Sequence, residues 1–143
     1  MSAIQDQLSD LAAEFDLLGD WEERYRYVID LGRELAPLTD AERSDANKVR
    51  GCASQVWLVT EPKGDGTVGF RGDSDAHIVR GLIAILLQLF SGRRPDEIVA
   101  FDPKVAFEAL GLAGALSSQR SNGLAAMAAR IRRDAEALAA AEI

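Results

Sequence analysis

The stretch from Ile78 to Phe90 constrains this chain more than any other. Its apolar positions, Ile78, Val79, Leu82, Ile83, Ile85, Leu86, Leu89 and Phe90, cover nearly the whole circumference of a helix. A helix apolar on all sides must be enclosed by other elements. The run from Gly81 to Phe90, interrupted by Gln88, falls well short of the ~20 residues needed to cross a bilayer, so the enclosure is expected to be protein. With 143 residues the chain is sized for one domain, expected over residues 1–143 with this helix at its centre. The 48% of hydrophobic residues supply enough core that no covalent staple is required.

What surrounds the helix is legible from the apolar period. Ile4, Leu8, Leu11, Ala12, Phe15 and Leu18 recur at three- and four-residue steps, which predicts an amphipathic helix over 4–18 ending at Gly19. Asp20 caps a second, with Trp21, Tyr25, Val28, Leu31 and Leu35 on one face, stopping before Pro37. Residues 39–48 lack a stripe and read as a loop with a turn of helix near Asp40–Arg43. The period then changes to two: Val56, Leu58 and Thr60 alternate with Trp57, Val59 and Glu61, a strand. Pro62-Lys63-Gly64-Asp65-Gly66 turns the chain and 67–71 returns, an antiparallel hairpin to which Val49 and Arg50 add a short third strand. Ser74 or Asp75 caps the central helix, and Gly92 ends it. A short piece opens at Pro95, another at Asp102-Pro103, and a last helix capped by Ser117 or Ser118 carries Leu124, Met127, Ala128, Ile131, Ala135 and Leu138. Arg130, Arg132 and Arg133 are read as its end, complementing the dipole. The class is α+β: a small antiparallel sheet of about three strands covered by helices.

Composition closes several functions. Net charge is −7, which argues against nucleic-acid binding by phosphate attraction. The excess is local: residues 1–46 hold 12 acids and 4 bases, the remainder 11 acids and 12 bases. The segment Met1–Phe15 carries Asp6, Asp10 and Glu14 and no apolar h-region, so no signal or transit peptide, no membrane segment and a cytoplasmic location are expected. One cysteine, Cys52, and one histidine, His77, exclude an internal disulfide, the usual Cys/His zinc sites and a cluster scaffold held by several thiolates of one chain. A single thiol remains.

Cys52 lies at the loop-to-strand junction in Asn47-Lys48-Val49-Arg50-Gly51-Cys52-Ala53-Ser54-Gln55. Lys48 and Arg50 favour thiolate, and Gly51 lets the backbone expose or withdraw the side chain, which together describe a nucleophile. An inert core thiol is the competing reading. A self-sufficient thiol enzyme, hydrolase or peroxide reductase, would pair Cys52 with His77, although no spacing joins them and His77 also reads as a surface residue at a helix start. Asp73 and Asp75 resemble paired catalytic carboxylates but equally a capping sequence, and Gly64-Asp65-Gly66 lacks the context of a phosphate loop. Arg120 stands in the first turn of the last helix, where the dipole disfavours a cation, so it either makes a salt bridge or has a task.

Three ordered blocks carry a resemblance: Val49-Arg50-Gly51-Cys52-Ala53-Ser54-Gln55-Val56-Trp57; Gly72-Asp73-Ser74-Asp75 with Ile78-Val79-Arg80-Gly81-Leu82; and Leu116-Ser117 with Arg120 and Asn122-Gly123-Leu124. With Trp21-Glu22-Glu23-Arg24-Tyr25 they resemble the SufE family of sulfur acceptors over nearly the full chain. The resemblance implies a fold shared with IscU-type scaffolds. It also implies a role: taking persulfide sulfur from a pyridoxal-phosphate cysteine desulfurase of the SufS type, stimulating that enzyme, and passing the sulfur to the SufBCD iron–sulfur assembly, or to another acceptor as in the related CsdE branch. Cys52 is then the acceptor, supported by Lys48, Arg50, Gly51 and Ser54, with Arg120 and more weakly Glu108 and Asp75 meeting the partner. No cofactor of its own is implied, the pyridoxal phosphate belonging to the desulfurase. A persulfide is easily lost to water and oxidants, so the Gly51–Ser54 loop is expected to shelter Cys52 at rest and swing out on docking.

Overall fold

The apolar helix is enclosed as its sequence demands. The computed structural model describes residues 2–141; Met1, Glu142 and Ile143, the ends of the single domain expected above, lie outside the described residues. Chain order is α1 (Ala3–Leu17), α2 (Trp21–Arg33), β1 (Val56–Pro62), β2 (Val68–Ser74), α3 (His77–Phe90), α4 (Pro95–Ala100), α5 (Pro103–Ala109), α6 (Leu112–Ala115) and α7 (Ser118–Ala141). α3 is the central helix: Leu82, Ile83, Ile85, Leu86, Leu89 and Phe90 are each at most 2% exposed. α1 and α2 cover one side, the hairpin another and α7 a third. The buried residues join in one cluster that reaches from Ile4 to Ala135.

α2 and α3 cross at two glycines. A Cβ on Gly81 would stand 2.1 Å from the Val28 carbonyl oxygen, and one on Gly32 2.6 Å from the Gly81 nitrogen. The crossing therefore sits at backbone contact, and it sets how close the outer helices lie to the core.

The class is α+β, with a two-stranded antiparallel sheet among the described residues. Val56 pairs with Ser74 and Pro62 with Val68. The third strand expected at Val49–Arg50 is reduced to one bridge, Lys48 to Trp57. The Val49 amide donates to Val56 O and Leu58 N donates to Asn47 O, both at 2.8 Å. Gly51, at φ +90°, then turns the strap away before a ladder can grow.

Other boundaries also differ from expectation. β2 runs through Asp73 and Ser74, which in sequence resemble a helix cap. α3 starts at His77 with Ala76 at its N-cap and no side-chain cap bond. Asp73 stays in the strand because it is only 7% exposed and is neutralised there by Arg43 at 2.8 Å and Arg80 at 3.1 Å. α2 ends at Arg33, and the single turn α6 follows α5. α7 continues to Ala141, so Arg130, Arg132 and Arg133 sit inside it and do not answer its C-terminal dipole. Arg130 instead meets Asp134, and Arg132 meets Glu136, one turn on.

Candidate functional site

The residues before Cys52 are held firmly. The strap 46–49 is bonded to β1 as above, and Arg130 on α7 donates to Ala46 O at 3.1 Å and to Lys48 O at 3.3 Å. Arg130 also donates to Asp134, which accepts from the Thr60 hydroxyl at 2.7 Å. One short polar chain thus ties the strap, α7 and β1 together. After Cys52, the Gln55 amide donates to the Asp75 carboxylate at 3.0 Å and Asp75 N donates to Gln55 O at 3.3 Å. Asp75 therefore fastens the far end of the loop.

Between these anchors the chain turns at Gly51 against α7, where an added Cβ would meet the Ala126 methyl at 3.2 Å. Cys52 follows, half-buried, its thiol donating to Gly123 O at 3.6 Å. Gly123 lies against it: a Cβ there would be 3.7 Å from Sγ. The thiol borders a cavity of about 360 Å³ walled by Ser54 from its own loop, Val79 and Leu82 from α3, and Arg120 and Met127 from α7. The lining is largely apolar, with the exposed Arg120 as the one charged side chain among the described residues.

Burial pushes the Cys52 thiol above its ordinary range, and no other influence contributes. Lys48 and Arg50, expected to support the thiolate, are not in the Cys52 cavity. They line a separate groove with Arg130 and Arg133.

The other expected residues divide. Ser54 and Arg120 share the cavity with Cys52, and Asp75 holds its loop. Glu108 is exposed on α5 and His77 is exposed at the start of α3; neither lines the cavity. Among the described residues no group of histidine, cysteine or acidic side chains could hold a metal ion. No helix among them is long and apolar enough to cross a membrane. Sequence reasoning missed Arg130 and Asp134 as supports of the loop, although their four-residue spacing signalled a pair. In sequence Val79, Leu82 and Met127 read only as core, yet they wall the cavity.

The SufE model, described as an Fe-S metabolism associated domain, matches residues 9–135, from within α1 to within α7 and across the whole cavity. The chain belongs to the SufE family. An uncharacterized SufE-like protein of Rhizobium etli is 54% identical over 142 residues, covering 97% of this chain and 94% of that one. Another, of Rhizobium meliloti, is 52% identical over 132 residues, covering 90% and 94%. The solution structure of a hypothetical protein from Thermus thermophilus superimposes with a TM-score of 0.77 at 18% identity, covering 94% of this chain and 96% of that one. At that identity the likeness shows the fold alone. Membership in the SufE family places this chain in Fe–S metabolism.

Proposed function

We propose that this chain is a sulfur carrier: Cys52 accepts the outer sulfur of a persulfide held by a pyridoxal-phosphate cysteine desulfurase of the SufS type, and the loaded chain delivers it to the SufBCD iron–sulfur assembly machinery. One observation carries the reading. The chain's single thiol sits on a short loop fixed at both ends and faces a mostly apolar cavity with room for a further sulfur atom. A hydrolase or peroxidase would need a base beside that thiol to generate thiolate at neutral pH. His77 is not in the cavity, and burial pushes the thiol's pKa up and not down.

The same features suit a carrier. Withdrawn at rest, Cys52 is poorly nucleophilic and protected from oxidants. Moving the loop off Gly123 returns the thiol to water and lowers its pKa toward the ordinary value. The Cys52 thiolate then attacks the outer sulfur of the donor persulfide. A new S–S bond forms to Cys52 as the bond between the donor's two sulfurs breaks, and its electron pair leaves on the donor cysteine thiolate. The proton lost by Cys52 ends on that thiolate or in solvent, and no net oxidation occurs. On withdrawal, the apolar walls from Val79, Leu82 and Met127 keep water from the persulfide, and Arg120 at the rim supplies a cation beside its charge.

The test is intact-protein mass spectrometry after incubation with a cognate desulfurase and free cysteine. Wild type gains one sulfur atom that reductant removes, Cys52→Ser gains none, and Arg120→Ala loads more slowly while remaining folded. No gain on reduced wild type beside an active desulfurase rejects the reading.

A further inference from the structure

Lys48 and Arg50 line a groove of about 490 Å³ with Arg130 and Arg133 along its α7 wall. Between them the lining is made by the apolar residues Ala46, Val49, Ala126 and Ala129. Asp45 is the one acid at its edge among the described residues. We propose that this groove docks an acidic, carboxylate-bearing segment of the protein that delivers sulfur to Cys52; the inference rests on the carrier reading above and specifies the chemistry of its partner.

Three observations support this. First, Arg130 is paired with Asp134 at 3.2 Å, but the other three cations are not closely neutralised. Lys48 and Arg50 make no ion pair among the described residues. Arg133 touches Asp134 only at 3.9 Å and is 71% exposed. Second, a concentration of positive charge here runs against the chain's net charge of −7. Nucleic acid, attracted by overall positive charge, is disfavoured as occupant. Third, the groove adjoins the reactive loop, since Arg50 is two residues from Cys52 and Ala126, a wall of the groove, is the residue Gly51 turns against. A donor that places its sulfur on Cys52 covers on the order of 800 Å² of surface, and ground this close falls within that footprint. Where the donor meets the groove, complementarity asks for carboxylates, which steer association and set its register.

The test titrates desulfurase stimulation with wild type, Lys48→Glu, Arg50→Glu and Arg133→Glu at low and high salt, with the mass of Cys52 followed in parallel. The charge reversals are expected to raise the concentration needed for half-maximal stimulation at least about tenfold at low salt. The gap closes as salt screens the pair. Arg133 projects into solvent, so its variant keeps the fold even if a strap variant does not. Arg26→Glu, at an exposed position of α2, reports the effect of charge alone. Arg133→Glu matching wild type at low salt overturns the proposal, as does an equal rise for Arg26→Glu. A wild-type dimer that dissolves on Arg133→Glu, with half-maximal stimulation unmoved, assigns the groove to a second copy instead. In each of these outcomes wild-type Cys52 still gains sulfur; its failure to do so would reject the carrier reading itself.

Discussion

Gly81→Ala probes the tightest crossing in the molecule. The added methyl carbon would lie 2.1 Å from Val28 O and 2.5 Å from Val28 Cγ1, an ångström or more inside the ~3.5 Å at which nonbonded carbon normally meets its neighbours. Val28 O is part of α2 and cannot turn aside without breaking that helix, so α2 and α3 must separate. Overpacking of this kind costs about 1–3 kcal/mol, and obstruction by backbone puts this site at the upper end, about 3 kcal/mol. Alanine recovers about 1 kcal/mol through its better helix propensity. The net loss is about 2 kcal/mol, and at this chain length each kcal/mol moves Tm by about 4 °C, so Tm falls by about 8 °C. Urea and thermal unfolding followed by far-ultraviolet circular dichroism measure it. Gly64→Ala is the control, since nothing lies within 4 Å of the added atom and the substitution should leave Tm level or slightly raised. Because α3 also carries Val79 and Leu82 into the Cys52 cavity, Gly81→Ala should speed alkylation of the thiol. A Gly81→Ala protein as stable as wild type would refute the argument that this crossing sits at its contact limit.

Two further outcomes follow from titrating groups. Burial raises the Cys52 pKa, so the native thiol should react with iodoacetamide more slowly at neutral pH than the same thiol in urea. Its contribution to stability is intact below the ordinary thiol range and lost as pH rises through the higher native value, a slope absent from Cys52→Ala. Glu42 is held at about 2, chiefly by the hydrogen bond from Arg71. Its contribution is therefore present above the ordinary carboxylate range and disappears as pH falls toward about 2, and Glu42→Gln should flatten acid unfolding in that window, read by circular dichroism.

How much of this was legible depends on whether the signal was local. The burial of α3 followed from its all-round apolar face, and the hairpin from period two on either side of Pro62-Lys63-Gly64-Asp65-Gly66, because each pattern is written within one element. The extension of β2 was not, since Asp73 looks like a cap until Arg43, thirty residues earlier, arrives to neutralise it. The length of α7 was hidden because its alanine-rich tail shows no stripe and the arginines before it mimic a helix end. At the site, the uniqueness of Cys52 and the oddity of Arg120 were local facts, and the cavity joins both. The placement of Lys48 and Arg50 was not legible, because closeness in sequence does not fix which depression a side chain lines: across the left-handed turn at Gly51, thiol and cations line different ones.

The anchors on either side of Cys52 also set a limit on distance. Val49 is bonded to β1 and Gln55 to Asp75, and Cys52 lies three residues from each. Fully drawn out, three residues span about 10 Å, so with both anchors intact the thiol has a stroke of no more than that from either post. This is a short tethered arm, unlike the long carriers that shuttle a group between distant centres. In the proposed carrier role, the donor and the recipient of the sulfur must each press their own sulfur site against the same small circle of surface. They must therefore visit in turn, and the unloading partner can enter only once the loading partner has gone.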